Sequence, residues 1–433
     1  MQNRAFLIVS VLLLSISLSA QNLSRTEKKI VASVANNNSE AIDFLEKVVN
    51  INSGTLNAEG VKEVGMVFKD AFEHINFDTK WIGMPSEMNR AGHLFAETTG
   101  NKGKKLLLIG HLDTVFEEDS PFQKFTMVND SIAHAPGGND MKGGDVIVLY
   151  ALKALHEHGL LKNAQIVVAF TGDEESTGKP LDISRKDLIE VAQRSDIALG
   201  FENSTGFNYA TVARRGASGW ALEVEGKRAH SSGVFSEGTG AGAIFEISRI
   251  LHQFYTEVKG EELLTFNPGT LLGGTFVNFD TTTSKGDVFG KGNVVAQKAI
   301  ARGGLRFISE EQKQRARAKM KEVVNNNLPK TSASITFTDS YPAMQPTEGN
   351  TALLNVLNEV SLDLNQGEVL AYDPGKRGAA DVSFVAQYVD CLDGLGTMGT
   401  GAHTPQETVN LNTIEALTKR TAILIYRLIN SKK

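Results

Sequence analysis

The chain has 433 residues, of which 41% are hydrophobic and 22% charged, and a formal net charge of −6. That length exceeds the roughly 250 to 300 residues at which one hydrophobic core stops growing, so two domains are expected, and the balanced composition excludes an extensively disordered chain. The acidic balance, with no long basic run anywhere, argues against nucleic acid as a partner.

At the N-terminus, Arg4 precedes an apolar run from Ala5 to Leu18 and the small residues Ser19 and Ala20. This reads as a secretory signal peptide over residues 1–20, cleaved near Ala20, and predicts an exported protein, periplasmic or secreted. The run is shorter than the ~20 residues that cross a bilayer and no later stretch comes close, so no membrane span is expected in the mature chain. The single cysteine, Cys391, permits no intramolecular disulfide and reads as a buried thiol. Stability must then come from packing, to which a bound metal could add.

Lys105 to Ile109 forms a predicted buried strand, and residues Gly144 to Glu157 carry apolar positions at Val146, Ile147, Leu149, Tyr150, Leu152 and Leu155, close to helical spacing. Gly159 is a natural stop. Gln165 to Phe170 and Asp196 to Phe201 read as further buried strands. This alternation predicts an α/β fold, a mixed and largely parallel sheet flanked by helices. From Arg214 to Gly216 the character changes. Trp220 to Val224 alternates like a half-exposed strand, Gly240 to Tyr255 is an amphipathic helix, Ala299 to Ile308 is strand-like, and Glu310 to Asn326 is a charged helix. Residues 215–330 are therefore read as an inserted α+β domain, with 21–214 and 331–433 building the first domain and the helix Leu411 to Asn430 closing it.

Polar residues follow each apolar strand. The first ends in His111 and Asp113, the second runs into Asp173-Glu174-Glu175, and the third ends at Glu202, while Asp140 lies in a Gly-rich loop just before a helix. In open α/β sheets, ligand sites form outside the carboxyl ends of the strands. Taken singly, each residue has an ordinary account: Asp140 as a helix cap, the glutamates as solvated loop charges, His111 as a core histidine. Gathered at one sheet edge, these charges repel unless a cation offsets them. A His, Asp and Glu set without cysteine suits zinc or a similar divalent ion, and a bridging carboxylate allows two ions to activate one water. One more neutral ligand is needed, and His403 in the loop Gly399-Thr400-Gly401-Ala402-His403 is the candidate.

The motifs GHLDTV, GGNDMKGGDV, FTGDEESTG, GFEN and GTGAHTPQE, with VNINSGTLNAEGV near the start, occur in order along nearly the whole mature chain. In them the sequence resembles the cocatalytic zinc metallopeptidases typified by glutamate carboxypeptidase, aminoacylase and succinyl-diaminopimelate desuccinylase, and most resembles the glutamate carboxypeptidase branch. The resemblance implies two Zn²⁺ per subunit, bridged by Asp140, one also held by His111 and Glu202 and the other by Glu175 and His403. It implies Glu174 as general base and Asp113 as the carboxylate that orients the His111 ring. The inserted segment resembles the family's lid, which makes the contact of a homodimer, and its His230 matches a histidine that donates to the oxyanion in the partner's site. Asn293 and Arg306 match lid positions associated with substrate. Two departures bear on specificity: Gly304 stands where Asp is common, and Tyr341 stands before Pro342 where glutamate-specific members tend to have Arg. Arg377 is a further candidate for bidentate capture of a substrate carboxylate.

The expected activity is hydrolysis of the amide bond of a small peptide or N-acyl amino acid, carboxypeptidase-like, by water with Glu174 as base. An aminoacylase or dipeptidase shares the same metal set, and a non-catalytic binding protein on the same fold is the reading from another class. His93, His74, His156, His158 and His252 are read as structural and His134 as a loop residue.

Overall fold

The computed structural model describes residues 23–431. The segment read as a signal peptide lies outside the described residues. Helix Arg25–Val49 starts at Ser24 with a reciprocal capping box, Ser24 accepting from the Glu27 N–H while the Glu27 carboxylate accepts from the Ser24 N–H.

A six-stranded sheet forms the centre of the larger unit, in the order Asp78–Ile82, His93–Glu97, Ala164–Thr171, Lys102–His111, Ile197–Gly200, Asp390–Leu392. The last four strands run parallel and the first two pair antiparallel at one edge. Successive side chains of a strand face opposite ways. Accordingly, Leu106 and Leu108 pack with the helices Arg25–Val49, Ala58–His74, Gly143–Glu157 and Ile414–Asn430, whereas Leu107 and Ile109 pack on the other face with Leu188, Val191, Val382 and Val385. Both faces are covered, which is why these strands read as continuous apolar runs. Cys391 lies buried in the edge strand.

The second unit is a four-stranded antiparallel sheet in the order Thr265–Gly274, Lys298–Phe307, Gly216–Gly226, Thr331–Asp339. Its core is separate: Trp220, Leu222, Val224, Ala299, Ala301 and Leu305 pack under helices Ala243–Gln253 and Glu310–Asn325. At Gly303 a Cβ would stand 2.5 Å from the Trp220 ring, so only glycine lets the indole lie across that strand. One boundary needs correction. The strand Thr331–Asp339, assigned from sequence to the resumed first domain, pairs along its whole length with Gly216–Gly226, so the second sheet ends at Asp339 and not at 330. Its alternating pattern carried no mark of which sheet it would join, because pairing with a distant strand is not encoded in the strand's own periodicity. The two crossings lie side by side, with Arg214 bridged to Met344 and the Ala217 N–H donating to Tyr341 O at 2.8 Å.

Candidate metal centre

Strands Lys102–His111 and Ala164–Thr171 run parallel with His111 opposite Thr171, and Ile109 lies opposite Gly200. Their carboxyl ends open on one edge, and His111, the turn carrying Glu174 and Glu175, and Glu202 all arrive there. Asp140 comes from the irregular turn Gly138–Lys142 that leads into helix Gly143–Glu157. That helix starts hard against the Glu202 segment: a Cβ on Gly144 would lie 2.1 Å from Phe201 O. His403 enters from the loop before Thr408–Asn410, with φ of +63° following Gly401 at +73°, a conformation uncommon for a residue with a side chain.

The Asp140 carboxylate divides between two partners. Oδ1 stands 3.2 Å from His111 Nε2, and Oδ2 stands 3.2 Å from His403 Nε2. Glu202 Oε1 lies 3.9 Å from His111 Nε2, and Glu175 Oε2 lies 3.1 Å from His403 Nε2. Ligand atoms about 2.0–2.1 Å from one tetrahedral zinc stand roughly 3.3 Å apart, so three of the four spacings suit a shared ion and the fourth is slightly open. The His111 tautomer follows from its other side. Nδ1 lies 3.0 Å from the backbone oxygen of Asp113, and since a carbonyl only accepts, Nδ1 carries a proton and Nε2 faces Asp140, as a donor when the ring is doubly protonated and with its lone pair when a metal stands between them. A lone pair opposed to a carboxylate requires a cation, either a proton or a metal. Glu175 Oε1 is buried without a hydrogen-bond partner, and the donor set thus fits a divalent ion.

The electrostatics agree. Burial and the neighbouring Asp140 push Glu202 up to about 7, and burial together with Glu202 holds Glu174 well above the usual carboxylate range. Burial also raises Glu175. Burial works against the charge on Asp140, yet hydrogen bonds from His111 and His403 keep it low. Asp140 and then Glu175 raise His403 to about 11. Glu174 shares the site closely, its ligand atom gathering with those of His111 and Glu202 within 4.8 Å of one another.

Asp113 has a broader part than orienting one ring. Its carboxylate is 3.5 Å from His111 Nδ1, but it accepts from the Thr55 hydroxyl at 2.6 Å and from the backbone N–H groups of Glu174 at 3.0 Å and Glu175 at 3.1 Å. Several supports went unread in the sequence. Glu407, fully buried, accepts from the N–H groups of Asn139 at 2.9 Å and Asp140 at 3.1 Å, and burial pushes its carboxyl up to about 8. It closes the GTGAHTPQE motif, so a signal was present. Lys142 is buried and donates to Val48 O and Ile51 O, both at 3.0 Å, which ties the Asp140 turn to the end of the first helix. Arg185, also buried, pairs with Asp173 at 2.5 Å and Asp381 at 2.8 Å behind Glu174. His93 accepts from the Gly172 N–H at 3.2 Å and so steadies the same turn.

Other sequence-nominated residues lie elsewhere. His230, Asn293 and Arg306 are exposed on the second unit. His230 Nδ1 meets Ser232 Oγ at 2.8 Å, and the Ser231 N–H donates to Asn293 O at 2.9 Å. Arg306 sits between Thr265 and Ala217 in the sheet. None of the three makes a hydrogen bond or ion pair to the cluster. Arg377 is closer: it donates to Asn203 Oδ1 at 2.7 Å and Asn203 O at 3.2 Å, beside Glu202.

With this geometry in hand, the chain matches peptidase family M20/M25/M40 over residues 107–427. It belongs to that family. It is 27% identical over 383 residues to carboxypeptidase G2 of Pseudomonas sp. (strain RS-16), covering 86% of this chain and 85% of that protein. Among solved structures, it superposes on a tripeptidase from Staphylococcus aureus with a TM-score of 0.69 at 20% identity, covering 91% and 99% of the two chains. It superposes on aminopeptidase PepT from Bacillus cereus with a TM-score of 0.71 at 18% identity, covering 90% and 99%. This M20 member is a metallohydrolase of peptide or amide bonds, and among its described residues no helix is long and apolar enough to cross a membrane.

Proposed function

We propose that the chain is an exported, zinc-dependent exopeptidase that removes the C-terminal residue from small peptides or N-acyl amino acids. The division of the Asp140 oxygens between His111 and His403 carries this reading. Asp140 would bridge two zinc ions, His111 and Glu202 completing one ligand set, Glu175 and His403 the other. Bound zinc supplies Lewis acidity toward water and the scissile carbonyl. Glu174, as the carboxylate, takes the proton of the attacking water, and the higher proton affinity that burial gives it suits it to hold that proton until it is delivered to the leaving amine. Arg377 receives the free carboxylate of the substrate, with Asn293 and Arg306 contributing from the second unit. His230 is assigned to the oxyanion. Since it makes no contact with the cluster of its own chain, that role calls for the copy in a second subunit, and a homodimer through the second unit follows. Export rests on the Arg4 to Ala20 segment, and N-terminal sequencing of the mature protein tests it.

Chelation should abolish C-terminal release from a peptide panel, Zn²⁺ should restore it, and Glu174→Ala should lower kcat by about 10²–10⁴-fold. Full activity of metal-free protein, or wild-type kcat in Glu174→Ala, would sink the proposal. Including acyl-amino acids and dipeptides in the panel separates carboxypeptidase from aminoacylase or dipeptidase. In the same assay Arg377→Ala should raise KM for substrates with a free carboxylate, and an unchanged KM would remove Arg377 from the binding site.

A further inference from the structure

The peptide unit between Glu174 and Glu175 is held at both ends. Its N–H, on Glu175, donates to Asp113 Oδ2 at 3.1 Å, and its carbonyl, on Glu174, accepts from the Tyr341 hydroxyl at 2.6 Å. Asp113 belongs to the catalytic sheet edge, but Tyr341 does not. Tyr341 follows the last strand of the second sheet, Thr331–Asp339, and its own carbonyl accepts from Ala217 in the first strand of that sheet. Its backbone is therefore fastened to the second unit while its side chain reaches into the first. The ring is kept there by Phe384, centroids 5.0 Å apart, and Phe384 in turn lies under the Arg185 guanidinium that pairs with Asp173 and Asp381. The hydroxyl also meets Thr177 Oγ1 at 2.5 Å, in the same turn as Glu174.

We propose that Tyr341 is a positioning residue whose hydroxyl, carried on the exit from the second sheet, fixes the Glu174–Glu175 peptide and links the posture of the second unit to the aim of the base. The physical reason is leverage. A peptide plane held only at its N–H can tilt about that one bond, and tilting it swings the flanking Glu174 and Glu175 side chains together. Misplacing a reacting group by about 1 Å costs on the order of 10²-fold in rate, so partial loosening should be read directly in kcat. Both partners of the hydroxyl, Glu174 O and Thr177 Oγ1, lie within the protein, so its loss should act on kcat with little change in KM.

This inference rests on Glu174 being the base, and the test separates the two. Tyr341→Phe keeps the ring on Phe384 and removes only the hydroxyl. In zinc-loaded protein it should lower kcat by about tenfold, with KM within about twofold and bound zinc unchanged. Hydrogen–deuterium exchange of metal-free wild type and variant should show faster uptake in residues 172–178, which contain the amides that Asp113 protects, and equal uptake in 102–111. Unchanged uptake in 172–178 overturns the proposal, as does faster uptake with wild-type kcat. A wild-type enzyme inert on every substrate would remove the base assignment alone, and the exchange comparison would still decide whether Tyr341 holds this peptide.

Discussion

Glu407 shows how a buried carboxylate serves a site it never enters. It takes backbone N–H groups at both Asn139 and Asp140, so it shapes the turn that aims the Asp140 oxygens at two different histidines. Asp113 does the equivalent for the turn of Glu174 and Glu175. Glu407→Ala would leave those buried donors unpaired, at a cost of about 1–3 kcal/mol, and should weaken binding of a divalent metal by about 10–100-fold. Competition with a chromophoric chelator measures the second effect, and an affinity equal to wild type would mean that the turn holds its shape without Glu407. Residue chemistry at the centre was legible because His111, Asp140, Glu175, Glu202 and His403 are reactive types in unusual local company. The roles of Glu407, despite its place in the GTGAHTPQE motif, and of Lys142 and Arg185 were not, since their partners are backbone atoms or side chains far along the chain.

At the level of elements, parallel strands in register do most of the assembly, delivering His111 and the Glu174 turn to one edge without any contact between those segments in sequence. The opposite ends of these strands are tied by charge. Glu97, at the end of its strand, receives Arg194 through two hydrogen bonds at 2.5 and 2.7 Å and Lys105 at 2.8 Å. Arg194 and then Lys105 depress its pKa from 4.5 to about 2. A carboxyl with a lowered folded-state pKa stabilises fully above its unfolded value and loses that contribution as pH falls through the folded one. The stability difference between wild type and Glu97→Gln should thus be present above about pH 4.5 and be lost as pH falls through about 2. Urea titrations at several pH values check this, and a pH-independent difference would assign the effect to something other than charge. The contribution is partly screened, because the Glu97 side chain is 35% exposed.

Across the whole molecule, the two units have separate cores but share a support of the site, since Tyr341 crosses between them. The second unit also carries a run of exposed apolar side chains, among them Phe235, Phe245, Leu271, Phe276 and Phe289. Phe235 and Phe245 stack with centroids 5.4 Å apart, and Phe276 pairs with Phe289 across a hairpin. The homodimer proposed above would cover these side chains. The proposed homodimer predicts that Phe245→Asp with Phe276→Asp shifts the protein to a monomer in sedimentation equilibrium and lowers kcat through loss of the second subunit's His230; a wild type already monomeric at micromolar concentration would refute it. What the amino-acid sequence determined by itself was local: the apolar strands, the helix of residues 143–157, the residue types of the metal set and the family they match, because periodicity and motif spacing are properties of contiguous chain. Tertiary structure alone decided that Thr331–Asp339 joins the second sheet, that Asp113 and Glu407 hold backbone turns, and that Tyr341 reaches Glu174, because each depends on which distant segments come to lie side by side.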